Sequence, residues 1–305
     1  MKIAYLVLAH DNPKHLERLA GALSSRSSAV FVHIDRRSSL DRFSNLPRDS
    51  VHVSRERIPV YWGDFSQVDA ILLLLRSALS ARDRFDYFVL LSGTDYPLQP
   101  AAYIESFFER NRGREFMNIV RMPCEAAGKP ISRLTTYRPR PDASRVTRFG
   151  RKLLVRTGVI PARRDYEPHL RGLAPYAGST WWALSRDACT YILSFADTER
   201  RVVEFFEHTV CPDESFFQTI LGNSPFRERI ERNLTYADWS AGGDSPAYLT
   251  EQHLELFEAS AHVTLDDVYG VGEALFARKF RDEAADLVVR LDRRARGSGP
   301  GERCT

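Results

Sequence analysis

The charged side chains that could do chemistry in this 305-residue chain stand at four places. Pro212-Asp213-Glu214-Ser215-Phe216-Phe217 sets two carboxylates beside a proline that can open a helix, with Phe216, Phe217, Ile220 and Leu221 on its buried side. Either both acids complement the positive end of that helix, or Glu214 faces a cleft and takes a proton from a substrate. Neighbouring side chains on a helix diverge, so only one of the pair is expected at the cleft. Asp95 closes Leu91-Ser92-Gly93-Thr94-Asp95-Tyr96-Pro97, where it either satisfies its own turn or meets a ligand. Asp35 ends His33-Ile34-Asp35 and suits a ribose hydroxyl or a base edge; otherwise it is a surface acid beside Arg36 and Arg37. Leu275-Phe276-Ala277-Arg278-Lys279-Phe280 holds two adjacent cations between apolar anchors.

Segments so far apart need a scaffold that gathers them, and the hydrophobic pattern points to an α/β one. The apolar run from Tyr87 to Leu91 does not alternate, as in a strand covered on both faces. Ligands of such sheets bind beyond the carboxyl ends of the strands, where Ser92, Gly93, Thr94 and Asp95 fall. Ile3 to Ala9 and Val30 to Ile34 read as further strands, joined by a helix that Asn12-Pro13 starts and that ends near Leu23. This unit is that of a nucleotide-binding sheet, without the Gly-rich dinucleotide fingerprint.

Downstream, residues 51–60 are expected to contain short strand material around Arg55 and Arg57, and Ser66 is expected to cap a helix from Gln67 to about Leu79. A helix over 101–110 and a strand over 115–120 follow. Tyr176 to Leu184 resumes the sheet. Adjacent strand residues face opposite ways, so one of Trp181 and Trp182 is expected in the core and the other on a cleft, where its ring face suits a sugar. Ser185 caps a helix to about Phe195, residues 198–208 read as helical, and Asn233 to Tyr236 is a short strand before the Gly-rich loop Ala237 to Pro246. Thr250 caps another helix, and a last amphipathic helix runs from about Asp282 to Arg293. The reading is one domain over 1–293, with residues 294–305 expected to be disordered.

Residues 121–171 change character: eleven arginines and two lysines stand against four acids, with six prolines. One short helix or strand is expected near Lys152 to Thr157. Long irregular segments in compact domains tend to carry function. A basic loop on the acceptor side of a site competes here with a solvated excursion and with a nucleic-acid surface. Few aromatics are interleaved to stack on bases, which disfavours the last. The whole chain is nearly balanced, at +3 net. Cys124, Cys189, Cys211 and Cys304 form no CxxC or zinc-like spacing, and no signal-peptide pattern or membrane-spanning run is seen. A reduced cytoplasmic setting, or the membrane periphery, is expected.

Taken in order, Leu6-Val7-Leu8-Ala9-His10, His33-Ile34-Asp35, Tyr61-Trp62-Gly63, the Leu91 to Pro97 block, Gly178-Ser179-Thr180-Trp181, Pro212 to Phe217 and the Arg278-Lys279 block cover most of the chain. As an ordered set they resemble the core-2/I-branching β-1,6-N-acetylglucosaminyltransferases and peptide O-xylosyltransferases. The resemblance implies an A-type glycosyltransferase fold, a single Rossmann-like α/β domain with a mixed sheet flanked by helices, and inverting transfer from a UDP-sugar. It implies Glu214 as catalytic base, Arg278 and Lys279 at the donor pyrophosphate, and Ala9, His10 and Asp35 on the nucleoside side, with Trp62 in the donor pocket.

Asp95 stands where metal-dependent relatives keep an Asp-x-Asp motif, but position 93 is Gly, and one carboxylate is a poor cage for Mg or Mn. No metal and no cofactor besides the UDP-sugar co-substrate are expected. On the acceptor side the candidates are Arg133, Arg138, Thr180, Trp181, Asp238 and Trp239. N-acetylglucosamine is the expected donor sugar. Xylose is the alternative, set back because xylosyltransferases carry an acid where Thr180 stands. A carbohydrate, peptide or natural product fits as acceptor, and nucleic acid does not. Two rivals from other classes are a sugar-nucleotide binding protein without catalysis and a glycoside hydrolase pairing Asp95 with Glu214.

Overall fold

The computed structural model describes residues 1–47, 50–141 and 143–297. Its centre is a seven-stranded sheet in the order Ile230–Glu231, Glu115–Met117, Trp182–Ser185, Tyr87–Ser92, Ile3–Ala9, Ser28–Ile34, Val51–Val53. Trp182–Ser185 runs antiparallel to both its neighbours, and the remaining pairs are parallel, so the sheet is mixed. Helices cover both faces, which is why the central strands are apolar without alternation. Ile3, Tyr5 and Val7 pack with Leu16 and Leu19 of the Pro13–Leu23 helix on one face. Ala4, Leu6 and Leu90 pack with Ile71 and Leu75 of the Ser66–Leu79 helix on the other. Full burial of each such Leu or Ile contributes about 1.5–3 kcal/mol. A central mixed sheet flanked by helices is the architecture the resemblance implies.

A second, three-stranded sheet positions the chemistry. Phe276–Arg278 lies between Thr235–Ala237, to which it is parallel, and Asp95–Pro97, to which it is antiparallel. The register sets Arg278 opposite Asp95. The segment after Gly93 is therefore a new strand rather than an open turn. Gly93 itself lies against the first strand: a Cβ there would stand 3.1 Å from Cβ of Ala9.

Other local expectations shift for identifiable reasons. Ser66 is the first residue of its helix, not its cap: Asp64 Oδ1 accepts its N–H at 2.9 Å, and Ser66 Oγ accepts from Tyr61 N. Only Val51–Val53 of residues 51–60 is strand, because the Ile58 N–H goes to His33 Nε2 and its carbonyl to Arg36 N, off the ladder. The strands expected over 115–120 and 176–184 are each broken, with Val120–Arg121 pairing Tyr176–Ala177 in a side ribbon. The break falls at Gly178, where a Cβ would lie 1.7 Å from the Asn118 carbonyl oxygen, a fit only glycine allows. A hairpin of Val263–Asp267 with Gly270–Ala274 was not anticipated. The basic segment carries a helix over Arg145–Arg156, and the last helix, Ala285–Gly297, extends through residues expected to be disordered. Residues 298–305 of that expected tail lie outside the described residues. Among the described residues no helix is long and apolar enough to cross a membrane.

Candidate active site

A cavity of about 870 Å³ opens at the carboxyl ends of the Ile3–Ala9 and Tyr87–Ser92 strands, within the ~300–1,000 Å³ typical of small-molecule sites. At one end stand Asp213 and Glu214. They occupy a separate 3₁₀ turn, Pro212–Glu214, ahead of the Phe216–Gly222 helix. The tighter turn breaks the α-helical divergence assumed from sequence, and both acids reach the cavity. The Gly178 N–H holds this turn through the Glu214 carbonyl at 2.8 Å.

The two carboxylates have opposite surroundings. Glu214 Oε2 accepts from Lys129 Nζ at 2.7 Å and from Arg133 Nη1. Burial works to raise its pKa, but the two cations outweigh it and hold the group below the ordinary glutamate range. Both cations engage the same oxygen, which leaves Oε1 free of either. Asp213 is more deeply buried, and its Oδ2 accepts from Thr180 Oγ1 at 2.7 Å and Gln67 Nε2 at 3.2 Å. Burial first, and then the charge of Glu214, push Asp213 up to about 6.

The far wall is cationic. Arg278 is buried, with Nε 3.4 Å from Asp95 Oδ1 and its guanidinium 4.1 Å from the centre of a Trp181 ring. Trp181 lines the cavity while Trp182 is in the core, as strand alternation requires. Burial lowers the Arg278 pKa, against which Asp95 and Glu214 both favour the charged form. Lys279 is half-buried and donates to Ser245 Oγ at 3.1 Å. Its pKa is lowered by burial and by the neighbouring Arg278, so two positive charges are held side by side facing one space.

The third sector is the crevice between the first two strands. Asp35 is buried there, its Oδ1 accepting from Arg37 N at 2.8 Å and its N–H donating to the Ala9 carbonyl at 2.8 Å, with His10 also on the cavity wall. Arg57 fixes the turn by donating to the carbonyls of Ile34 and Asp35 at 3.0 and 2.6 Å. His33 Nε2 accepts from Ile58 N, and burial lowers its pKa to about 4.

The sequence profile of a family described as Core-2/I-Branching enzyme matches residues 3–259. The chain belongs to this family. Xylosyltransferase 1 of Rattus norvegicus is 26% identical over 98% of this chain and 36% of that protein. Xylosyltransferase 2 of Canis lupus familiaris is 28% identical over 79% of this chain and 27% of that protein, and human xylosyltransferase 1 is 25% identical over 98% and 31%. The chain thus spans about a third of the length of the curated relatives it matches. The family is one of enzymes, and these relatives bear the names of glycosyltransferases. Among solved structures, a 4-diphosphocytidyl-2C-methyl-D-erythritol synthase aligns over 67% of this chain and 85% of its own at a TM-score of 0.33 and 13% identity.

In this core-2/I-branching chain the cavity gathers Ala9, His10, Asp35, Trp62, Arg133, Thr180, Trp181, Glu214, Trp239, Arg278 and Lys279. Three sequence candidates stand off its wall. Asp95 lies beneath, fully buried, one oxygen taken by Ser92 N at 2.9 Å and the other facing Arg278; burial pushes it up to about 6 against that cation. It acts on the cavity through Arg278. Arg138 lies behind the Tyr61-Trp62-Gly63 turn and donates to the Trp62 carbonyl at 2.7 Å. Asp238 ties its own loop, accepting from Ser240 N at 2.8 Å and facing His253 Nε2 at 3.0 Å.

Sequence reasoning missed Lys129, Gln67 and the hairpin residues Asp267 and Tyr269 on the cavity wall. Lys129 had one available signal, a lone cation in the Gly128-Lys129-Pro130 turn. Nothing in spacing pointed to the hairpin, whose strands carry charged residues on both sides.

Proposed function

We propose that this protein transfers a sugar from a UDP-sugar to an acceptor hydroxyl with inversion at the anomeric carbon. The reading rests on one observation: Glu214, a carboxylate held to its charged form by two neighbouring cations, and two further cations, Arg278 and Lys279, line the same cavity. Glu214 Oε1 takes the acceptor proton as the acceptor oxygen attacks from the face opposite the diphosphate. In-line attack inverts the centre. Negative charge gathers on the leaving UDP, where Arg278 offers paired donors and Lys279 a point charge. Asp35, with the Ala9-His10 turn, receives the nucleoside. Metal independence is part of the proposal: Gly93 replaces a carboxylate, and both Asp95 oxygens are turned to Ser92 N and Arg278.

For the donor sugar, N-acetylglucosamine and xylose compete. The named relatives favour xylose. Thr180 replaces the acid expected of a xylosyltransferase, yet its hydroxyl meets Asp213 at 2.7 Å, so a carboxylate still stands at that wall. A thermal-shift panel of UDP-sugars ranks the donors through linkage, and UDP release from the best stabiliser measures turnover. Full activity in EDTA and loss of at least about 100-fold in Glu214→Gln are expected. Near-normal transfer by a folded Glu214→Gln protein refutes the base assignment, and activity restored only by Mn refutes the metal-free part. Stabilisation by UDP with no turnover of any UDP-sugar assigns the site to binding alone.

A further inference from the structure

Residues 136–164 form an excursion tied to the domain along its base: the Arg138 N–H donates to the His208 carbonyl at 2.9 Å, Arg140 faces Asp69 and Glu207, the Arg164 N–H donates to the Thr135 carbonyl at 2.8 Å and the Arg164 guanidinium lies 4.2 Å from the Phe205 ring centre. The excursion carries the Arg145–Arg156 helix. Val146, Phe149 and Leu153 recur at spacings of three and four, which places them on one helical stripe. That stripe would ordinarily face a core. Here the three side chains are 80%, 70% and 51% exposed, and Val159 just beyond is 68% exposed. Arg145, Arg148, Arg151, Lys152 and Arg156 also belong to this helix, and no acid occurs from 143 to 164.

We propose that this helix docks the protein on an anionic bilayer, with the apolar stripe seated at the boundary of headgroups and acyl chains and the cations meeting lipid phosphates. An exposed apolar face flanked by cations is what an interfacial helix requires, and acid-free basic flanks complement a negative surface. A second copy of the chain fits worse, since two such helices would set cations against cations. RNA would use the cations and leave Val146, Phe149 and Leu153 in water. The excursion begins directly after Arg133 of the cavity wall, and Arg138 within it holds the Trp62 carbonyl at the cavity rim. The surface is separate from the transferase site and stands or falls independently of it.

Co-sedimentation of the full chain with phosphatidylcholine vesicles, with and without phosphatidylglycerol, tests the proposal. Binding to the anionic vesicles, weak binding to the neutral ones, and a loss of at least about 10-fold in the Phe149→Asp/Leu153→Asp double variant are expected. Both side chains are exposed, so the melting temperature should hold. Should the double variant misfold, a Phe149→Trp protein must show a blue shift in emission on adding anionic vesicles. No binding to either vesicle, binding undiminished in the double variant, or no blue shift overturns the proposal. So does light scattering that finds a dimer which the double variant dissociates, or single-stranded RNA bound equally by wild type and double variant in the absence of vesicle binding.

Discussion

Replacing Lys129 by methionine removes one of the two charges that keep Glu214 ionised while retaining most of the side-chain volume. Lys129 Nζ lies 2.7 Å from Glu214 Oε2, and Arg133 contacts the same oxygen. A unit charge within 4 Å at an effective dielectric near 20 carries about 4 kcal/mol, and about 1.4 kcal/mol corresponds to one pKa unit. Glu214 is partly open to solvent, which screens the pair, so the Glu214 pKa should rise by less than that Coulomb figure implies. Losing a positive neighbour favours the neutral acid, and the carboxylate then forms only at higher pH. The acid limb of kcat/KM for UDP release should move to higher pH, so that at pH 5 the variant falls further below its own alkaline plateau than the wild type does. The diagnostic is the position of the limb, measured from about pH 4 to 9 on the preferred UDP-sugar. A limb that stays where the wild type has it refutes the argument that Lys129 sets the ionisation of Glu214.

Arg278→Met leaves Asp95 buried without its cation and should destabilise the fold by about 3–5 kcal/mol in urea unfolding, part of which returns in Asp95→Asn/Arg278→Met; equal losses in the two proteins would separate Asp95 from Arg278. Lys279→Met, at a half-buried position, should keep the wild-type melting temperature but weaken UDP about 10-fold or more, read from the UDP dependence of the thermal shift. Asp213, at about 6, is raised above the unfolded aspartate range; between those values the folded state binds the extra proton, so its contribution to stability grows as pH falls from 7 to 5. Asp213→Asn should flatten that part of the melting-temperature profile, and an unchanged profile would place the proton elsewhere. Glu214 works in the opposite sense and loses its stabilising contribution only as pH drops through its lowered pKa. Gly178→Ala, forced against the Asn118 carbonyl, should lose several kcal/mol or fail to yield soluble protein.

Much of this molecule was legible in residue order because it depends on short-range rules. The Pro13–Leu23 and Ala101–Arg110 helices lie where proline signals and apolar spacing put them, and Ser185 caps its helix by accepting from Ala188 N at 3.3 Å. The non-alternating strands announced a sheet buried on both faces, and their carboxyl ends announced the place of the cavity. Glu214 and the Arg278-Lys279 pair stood out because acids beside a helix-opening proline, and paired cations between apolar anchors, are conspicuous in any sequence.

What residue order did not contain was the partner of each charge. Lys129 and Glu214 are separated by 85 positions, and the Gly178 N–H that donates to the Glu214 carbonyl ties the Pro212–Glu214 turn to the strand break at Asn118 and Gly178. Asp95 looked like a ligand-facing carboxylate until the small sheet turned it toward Arg278 and away from the cavity. Sequence alone determined which side chains are able to carry charge or stack on a ring, along with the strand and helix periods that place them near the sheet's end. Only the tertiary structure decided which of them face one another. Strand crossings and register set those distances, and Coulomb forces, which vary with separation and burial, then lower the pKa of one carboxylate and raise that of its neighbour.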